Sequence, residues 1–220
     1  MAAIALGFAR AVDGVDDQDR AVGTGDEVCH QQQDHQGRDK PGHGRIQQHR
    51  QQPFDRNGDW AAGGEPDPTL LAKLLDDPYF RLPPPKSTGR EYFDPAWLRG
   101  HLAAQPKLTP VDVQATLLAL TVETVAAALE QSGASSIFLC GGGARNQTLV
   151  SSLARQLKDA DIRKTDELGI PADDVEAVAF AWLAMRHVDR LPGNLPSVTG
   201  ATRPAILGGC YPATDGSTRT

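Results

Sequence analysis

At 220 residues the chain has room for one or two domains, and its 40% apolar and 23% charged residues are ordinary for a soluble protein. A net charge of −6 without a basic stripe argues against a nucleic-acid partner. The three cysteines lie too far apart for a disulfide framework or a Cys-X-X-Cys metal site. The sequence shows neither an unbroken apolar run of ~18 residues nor a signal-like start, so we expect a cytoplasmic protein without membrane contact.

Residues 1–52 are expected to form a disordered tail, or to come from a mis-joined reading frame. From Val15 to Gln52 the sequence is mostly Gln, His, Asp, Arg and Gly, which cannot bury enough apolar surface to offset the entropy lost on ordering. The histidines of this stretch lack the spacing of a tetrahedral metal site, so we predict no metal. The composition changes near Pro53, and we assign residues 53–213 to a folded domain and 214–220 to a flexible C-terminus.

Two local patterns come next. Leucines at helical spacing after Pro66-Asp67-Pro68 predict a short amphipathic helix from Thr69 to Leu75. The segment from Leu82 to Glu91 contains consecutive prolines, which lack an N–H donor and favour extended backbone, so it predicts an ordered loop rather than a helix. The polar residues of this loop either contact an anion or mark a solvated connector: Lys86, Ser87, Thr88 and Arg90.

A long helix is predicted to begin after Thr109, which can cap it, with Pro110 at the first helical position and Asp112 three residues after the cap. Apolar residues and alanines leave few polar positions from Ala115 to Leu129, so this helix should be largely buried. We expect it to end near Gly133.

Strands and helices then alternate along the chain. The pattern predicts strands at Ser136–Cys140 and Ile162–Thr165, and helices at Gln147–Leu157 and Asp173–His187. Alternation of this kind is typical of an α/β layer in which at least some strands pair in parallel.

The glycine turn from Cys140 to Asn146 is the strongest functional signal. Glycines let a ligand approach the backbone, and the N–H groups and dipole at the start of the following helix favour negative charge. The turn therefore predicts a phosphate or nucleotide site, although it matches neither the dinucleotide nor the Walker pattern, and three glycines can also simply make a tight turn. We interpret Asn146 as a helix N-cap or a polar ligand contact, and Cys140 as a small hydrophobic residue at a strand end.

A family pattern emerges when five blocks are taken together in chain order. The blocks are Pro84–Glu91, Asp112–Leu117, Cys140–Asn146, Asp174–Ala184 and Gly193–Ala201. They closely resemble the anhydro-N-acetylmuramic acid kinase family. The resemblance covers about Pro53 to Ala213 and corresponds to the C-terminal portion of that family's longer proteins.

The resemblance implies the second lobe of an actin-like (ribonuclease H-like) α/β sugar kinase fold, whose two lobes close over ATP. It implies an enzyme that uses ATP and magnesium to open the anhydro bridge of anhydro-N-acetylmuramic acid by attack of water and to phosphorylate the 6-hydroxyl, which returns cell-wall material to metabolism. It places an adenine nucleotide at Gly141, Gly142, Gly143 and Asn146. It also directs Glu176 toward the sugar, and the apolar residues around Glu176 predict a buried helix. From the residues alone, Glu176 is a helix-terminal carboxylate favoured by the helix dipole.

The departures from the family pattern concern its first lobe. Residues 1–52 contain no stretch like the family's first phosphate loop, and Asp13-Gly14-Val15-Asp16 is too short to be one. The family's catalytic aspartate is not recognised either, so we assign no catalytic residue and no metal ligand, and expect a truncated or mis-joined lobe without activity of its own. The alternatives are a non-catalytic nucleotide-binding or interaction module derived from that lobe, and an unrelated α/β binding domain. The sequence does not decide whether the chain forms a homodimer.

Overall fold

A computed structural model of the chain describes Ile46, residues 49–83, Lys86, Thr88, residues 92–105 and residues 107–211. Its helices and strands are α1 (Asp59–Ala62), α2 (Pro68–Leu75), α3 (Pro95–Leu102), α4 (Pro110–Ser132), β1 (Ser136–Leu139), α5 (Gln147–Gln156), β2 (Asp161–Lys164), α6 (Val175–Val188) and α7 (Pro196–Thr199). Short 3₁₀ turns are formed by Arg56–Gly58, Pro78–Arg81, Gly142–Arg145 and Thr165–Leu168. Several predicted features lie outside the described residues: most of the tail, including Asp13 to Asp16, the loop residues Ser87 and Arg90, and residues 214–220.

Local signals at both ends define the long helix α4. The hydroxyl of Thr109 accepts a hydrogen bond from the N–H of Asp112 at 3.3 Å and donates one to Asp112 Oδ2 at 2.6 Å. Pro110 occupies the first turn, where its missing N–H costs nothing, and the helix ends at Gly133. The predicted start and end of this helix are confirmed. Although the sequence shows no unbroken apolar run of that length, α4 is, within the described residues, the one helix long and apolar enough on average to cross a membrane, and most of that stretch is buried inside the protein.

Two apolar clusters share α4. The sheet-side cluster lies between α4, β1 and α5, and includes Val125, Leu129, Ile137, Leu149 and Leu153. The helix-side cluster lies between α4, α2 and α3, and includes Leu70, Leu74, Leu98, Val113 and Leu120. Because α4 contributes to both, it is largely buried from Val113 onward, as its sequence predicts.

The sheet consists of β1 and β2, which pair in parallel in the register Ser136↔Asp161 to Leu139↔Lys164. Parallel neighbours need a crossover connection, and α5 supplies it. The three apolar residues of β1 are buried, whereas β2 is only half-buried. Both predicted strands and their parallel pairing are confirmed, and the described residues form a mixed α/β structure.

The predicted helix after β2 is present as α6, but the expectation that its apolar residues are buried is wrong for this chain. Val175 is the one buried residue of α6. Large apolar side chains farther along the helix are exposed, including Val178, Trp182 and Met185. The physical reason is that no other described helix or strand packs extensively against α6.

The carboxylate of Asp77 connects the end of α2 to α3. Helix α3 was not predicted from the sequence patterns. The Asp77 carboxylate accepts hydrogen bonds from the N–H of Tyr79 at 2.9 Å, the hydroxyl of Tyr92 at 2.8 Å and the indole N–H of Trp97 at 3.0 Å. Burial acts to raise the pKa of the Asp77 carboxyl, but these donors together outweigh it and hold that pKa below its ordinary value.

The proline-rich segment is anchored through Lys86. Its ammonium donates to the carbonyl oxygens of Tyr79 and Phe80, both at 3.2 Å, and lies 4.9 Å from the centre of the Tyr79 ring. Leu82, Pro83, Lys86 and Thr88 all lie outside any helix, which confirms the loop prediction for the described part of this segment. Lys86 thus has a structural role, and a contact between this loop and an anion stays a prediction.

Candidate functional site

The glycine turn begins where β1 ends, and its backbone requires glycine at Gly141. This residue has φ 71° and ψ −170°, a conformation essentially restricted to glycine. An added Cβ would meet no atom within 4 Å. The requirement at Gly141 is therefore conformational, and the space beside it is open.

Three backbone hydrogen bonds fix the shape of this turn. The N–H of Gly141 donates to the carbonyl of Ala172 at 2.7 Å, the N–H of Ala144 donates to Gly141 at 3.1 Å, and the N–H of Asn146 donates to Gly143 at 3.0 Å. Ala144 and Ala172 are both buried, so the turn is held against the core rather than extending into solvent. These hydrogen bonds fix the backbone of the turn, and the space beside Gly141 is open.

The carboxyl ends of both strands meet beside the turn. The pairing of Leu139 with Lys164 places the next residues, Cys140 and Thr165, at the same edge of the sheet. This edge is where ligands bind in open parallel α/β sheets. Cys140 is half-buried and packs against the sheet-side cluster, as expected for a small hydrophobic residue. No sequence motif marked Thr165 as a site residue; it is 4% exposed, and its hydroxyl has no hydrogen-bond partner among the described residues.

Asn146 caps helix α5. It is 1% exposed, and its Oδ1 accepts a hydrogen bond from the N–H of Leu149 at 3.0 Å. The interpretation of Asn146 as an N-cap is confirmed. One N–H at the start of α5 is therefore satisfied by the protein itself, and a direct contact between Asn146 and a ligand stays a prediction.

A segment that sequence reasoning missed covers the start of α5. Gly58 has φ 75°, and an added Cβ there would lie 2.8 Å from Thr148 Cβ and closer still to Asn146 Oδ1. The backbone of the 56–58 turn thus packs directly onto the first residues of α5. The dipeptide Asn57-Gly58 is a turn signal that could have marked this segment, but not its distant contact.

Asp55 organises the same segment from its other end. Its two carboxylate oxygens accept hydrogen bonds from the N–H groups of Trp60 at 2.9 Å and Ala61 at 3.0 Å. Burial raises the pKa of the Asp55 carboxyl above its ordinary value, because it outweighs the stabilising effect of those two N–H groups. The buried side chain of Ile46 shows that ordered packing begins before Pro53.

Glu176 lies in the first turn of α6, exposed to solvent. The segment leading into this turn is tied to the glycine turn twice, through the Ala172 carbonyl and through an ion pair between Asp173 and Arg145. The hydrogen bond from Arg145 to Asp173 raises the pKa of the arginine. Glu176 therefore lies only a few residues after the segment that contacts the glycine turn. Its carboxylate is also near the start of α6, where the helix dipole favours negative charge.

No group of three histidine, cysteine or acidic side chains that could hold a metal occurs among the described residues. The candidate site thus consists of a hydrogen-bonded glycine turn with open space beside Gly141, the buried hydroxyl of Thr165 at the next strand end, and the exposed carboxylate of Glu176 on the following helix.

Comparison with known proteins identifies a family for this arrangement. A sequence model of the family described as anhydro-N-acetylmuramic acid kinase matches residues 43–213, starting ten residues before the change in composition at Pro53. The chain is 51% identical over 174 residues to an anhydro-N-acetylmuramic acid kinase of Paraburkholderia xenovorans, covering 76% of this chain and 46% of that protein. It is 51% identical over 167 residues to the protein of the same name from Chromobacterium violaceum, covering 74% of this chain and 46% of that relative. The chain thus spans about half the length of the curated relatives it matches.

Proposed function

Because the chain belongs to the anhydro-N-acetylmuramic acid kinase family, we propose that residues 53–213 form the second lobe of an actin-like (ribonuclease H-like) sugar kinase. The parallel β1–β2 pair with its helical crossover supports this assignment. The span of about half of each relative supports it as well, since a two-lobed enzyme contains roughly one further unit of this size.

The activity to which this lobe contributes is ATP-dependent opening of the anhydro bridge of anhydro-N-acetylmuramic acid, with phosphorylation of the 6-hydroxyl. Water adds to the carbon that carries the bridge, the bridging carbon–oxygen bond breaks, and the released 6-oxygen receives the terminal phosphoryl group of ATP. The products are N-acetylmuramic acid 6-phosphate and ADP. Such a reaction belongs in the cytoplasm, where ATP is available.

The glycine turn carries this proposal. Gly141, Gly142 and Gly143 follow the carboxyl end of β1, the edge at which ligands bind in many parallel α/β sheets, and the open space beside Gly141 would leave room for a nucleotide near the backbone. We assign the adenosine side of ATP to this turn and to Asn146 at its end. Glu176, which follows the segment that holds the turn, is assigned to the sugar.

Magnesium belongs to the reaction of the complete enzyme, but the described residues do not gather ligands for it. We therefore assign no metal ligand among the described residues. Phosphoryl transfer depends mainly on positioned groups and charge neutralisation, and the family's first-lobe groups are not recognisable in this sequence. The 220-residue chain should consequently bind adenine nucleotide weakly and transfer no phosphate.

Nucleotide binding is tested by calorimetry of ATP with the chain and with Gly142→Val. Added side-chain bulk in the turn should weaken binding by about tenfold or more, which corresponds to about 1.4 kcal/mol. Gly100→Val is the matched control, because Gly100 lies on α3 and an added Cβ there meets nothing within 4 Å. Unchanged affinity in Gly142→Val would remove the turn from the nucleotide site.

Catalysis is tested by following phosphate transfer from ATP to the anhydro sugar. The present chain should show no turnover, whereas a fusion that places the amino-terminal half of the Paraburkholderia relative before residue 53 should be active. In that fusion, Glu176→Ala should raise the KM for the sugar or lower kcat while leaving the KM for ATP unchanged. Glu130→Ala, an exposed carboxylate on α4, is the control. Robust turnover by the 220-residue chain would contradict the proposal. A fusion that binds ATP but is inactive would instead favour the alternative, a non-catalytic nucleotide-binding module.

A further inference from the structure

Asn57-Gly58 is the one place in the sequence where glycine follows asparagine. The backbone nitrogen of the residue after an asparagine can attack the side-chain amide, and glycine hinders that attack least because it has no Cβ. The sequence contains two further asparagines, Asn146 and Asn194, and each is followed by a residue with a large side chain. The sequence therefore marks Asn57 as the asparagine most open to this reaction.

The structure separates the three asparagines in the same way. Asn57 is exposed, whereas Asn146 is 1% exposed and its Oδ1 caps α5. Asn194 is held at both ends of its amide, because it donates to the carbonyl of Arg203 at 3.1 Å and accepts from the N–H of Ala205 at 2.6 Å. The amides of Asn146 and Asn194 are thus bound to the backbone, while that of Asn57 faces solvent.

The backbone of the 56–58 turn decides when the reaction can occur. Asn57 has φ 57° and ψ 0°, a left-handed conformation that is uncommon for residues other than glycine. In this closed form the N–H of Gly58 donates to the carbonyl of Asp55 at 3.1 Å, which occupies the attacking nitrogen. Short exposed segments open locally far more often than the whole protein unfolds, so the attack takes place in the opened turn.

We propose that Asn57 is a site of spontaneous covalent modification and that its isoaspartate product separates the 56–58 turn from α5. In the opened turn the Gly58 nitrogen gives up its proton and bonds to Asn57 Cγ. The bond between Cγ and Nδ2 breaks, and Nδ2 leaves as ammonia after taking up a proton. Water then adds to one of the two carbonyl carbons of the resulting ring, the bond from that carbon to the nitrogen breaks, and the nitrogen regains a proton.

The two products differ in the main chain. Cleavage at Cγ restores the original peptide bond and leaves aspartate at residue 57. Cleavage at the main-chain carbonyl leaves isoaspartate, in which the main chain runs through Cβ and Cγ and is longer by one carbon atom. Both products carry a new carboxylate, so their difference lies in the length of the backbone before Gly58.

The structure has no room for the longer backbone. Gly58 is buried, and even an added Cβ there would lie 2.8 Å from Thr148 Cβ and closer still to Asn146 Oδ1. Close-packed contacts of this kind cannot absorb a further carbon atom without a shift of the backbone. Isoaspartate at residue 57 therefore uncovers Asn146 at the start of α5, whereas aspartate leaves it covered.

Peptide mass spectrometry of the 220-residue chain, kept in warm and mildly alkaline buffer, compares the three asparagines in one sample. Conversion of the amide to an acid should be at least about tenfold faster at Asn57 than at Asn146 or Asn194, because their amides are held by the fold. An isoaspartate methyltransferase should label the peptide that contains residue 57. The label is read on that peptide alone, since Asp13-Gly14 and Asp215-Gly216 can form the same ring. Equal rates at the three asparagines, or no isoaspartate at residue 57, would overturn the proposal.

The role of the opened turn is tested by repeating the incubation in urea that unfolds the chain. Conversion at Asn57 should be faster there than in buffer, because the hydrogen bond from Gly58 to Asp55 is lost. Asn57→Gln, which would need a larger ring, should stay unmodified under both conditions. Equal rates of conversion of Asn57 with and without urea would refute the step through the opened turn.

The consequence for α5 is tested with a matched charge control. Asn57→Asp has the carboxylate of the products without the extra backbone atom. The isoaspartate form, separated from the aged chain by chromatography, should unfold at a lower urea concentration than Asn57→Asp, because only its backbone displaces the turn. Equal midpoints of the two would reject the separation of the turn from α5. Both measurements are independent of ATP binding and turnover, so they stand or fall apart from the proposed function.

Discussion

Gly58→Ala should destabilise the chain severely through a contact that joins two distant parts of the sequence. Gly58 has φ 75°, and alanine in this left-handed region costs about 1–2 kcal/mol. Its new Cβ would also lie 2.8 Å from Thr148 Cβ and closer to the Asn146 oxygen that caps α5. Overpacking of this kind costs about 1–3 kcal/mol, so we expect a loss of about 2–5 kcal/mol in the free energy of unfolding.

Gly133→Ala is the control that separates the two contributions. Gly133 has φ 67°, close to that of Gly58, but a Cβ there meets nothing within 4 Å. It should therefore show the backbone cost of about 1–2 kcal/mol without the packing cost. The small gain from a stiffer unfolded chain applies equally to both variants and cancels in the comparison.

Urea unfolding followed by far-ultraviolet circular dichroism measures both variants against the parent chain. Gly58→Ala should shift the midpoint to lower urea by more than Gly133→Ala does, at an unchanged slope. In the Asn146→Ala background part of the obstacle is gone, so the cost of Gly58→Ala should fall there. If Gly58→Ala costs no more than Gly133→Ala, the packing of the 56–58 turn against α5 is refuted.

Two further outcomes follow from the structure and the sequence. Asp77→Asn should lower the free energy of unfolding at neutral pH by about 1 kcal/mol, because an amide cannot accept all three donors. Since the pKa of Asp77 is lowered on folding, the stabilisation that its ionised carboxylate provides is present above the ordinary pKa of 3.8 and is lost as the pH falls below that value. The free energies of unfolding of the parent and the variant should therefore converge in acid. A difference that persists in acid denaturation would contradict this. Limited proteolysis should cleave between Val15 and Gln52 before it cleaves α4, because the first stretch is polar and the second is buried, and equal protection of both would reject the predicted tail.

The sequence predicts those elements whose signals are local. Thr109, Pro110 and Gly133 specify both ends of α4, and the apolar run before the glycine turn specifies β1. Helix α3 has the same kind of start, Asp94 followed by Pro95, but its short length and Gly100 weaken the periodic pattern that would reveal it.

The remaining features depend on contacts that a linear pattern does not contain. Gly58 and Asn146 are far apart in sequence, so their contact could not be inferred from either motif alone. The same holds for the hydrogen bond between Gly141 and Ala172, which connects the glycine turn to the segment before α6. For α6, apolar composition indicates a helix that needs cover, but it does not say whether the covering polypeptide is part of this chain.

The shared helix α4 has a consequence for how the protein opens. At 23 residues it is about 34 Å long and runs without interruption past both apolar clusters. Neither cluster can come apart completely without loosening the same ladder of backbone hydrogen bonds, and such a ladder melts cooperatively. Amide protons in the middle of α4 should therefore exchange with solvent in a single, slowest class, and the frayed first and last turns should be the places where each cluster begins to admit water.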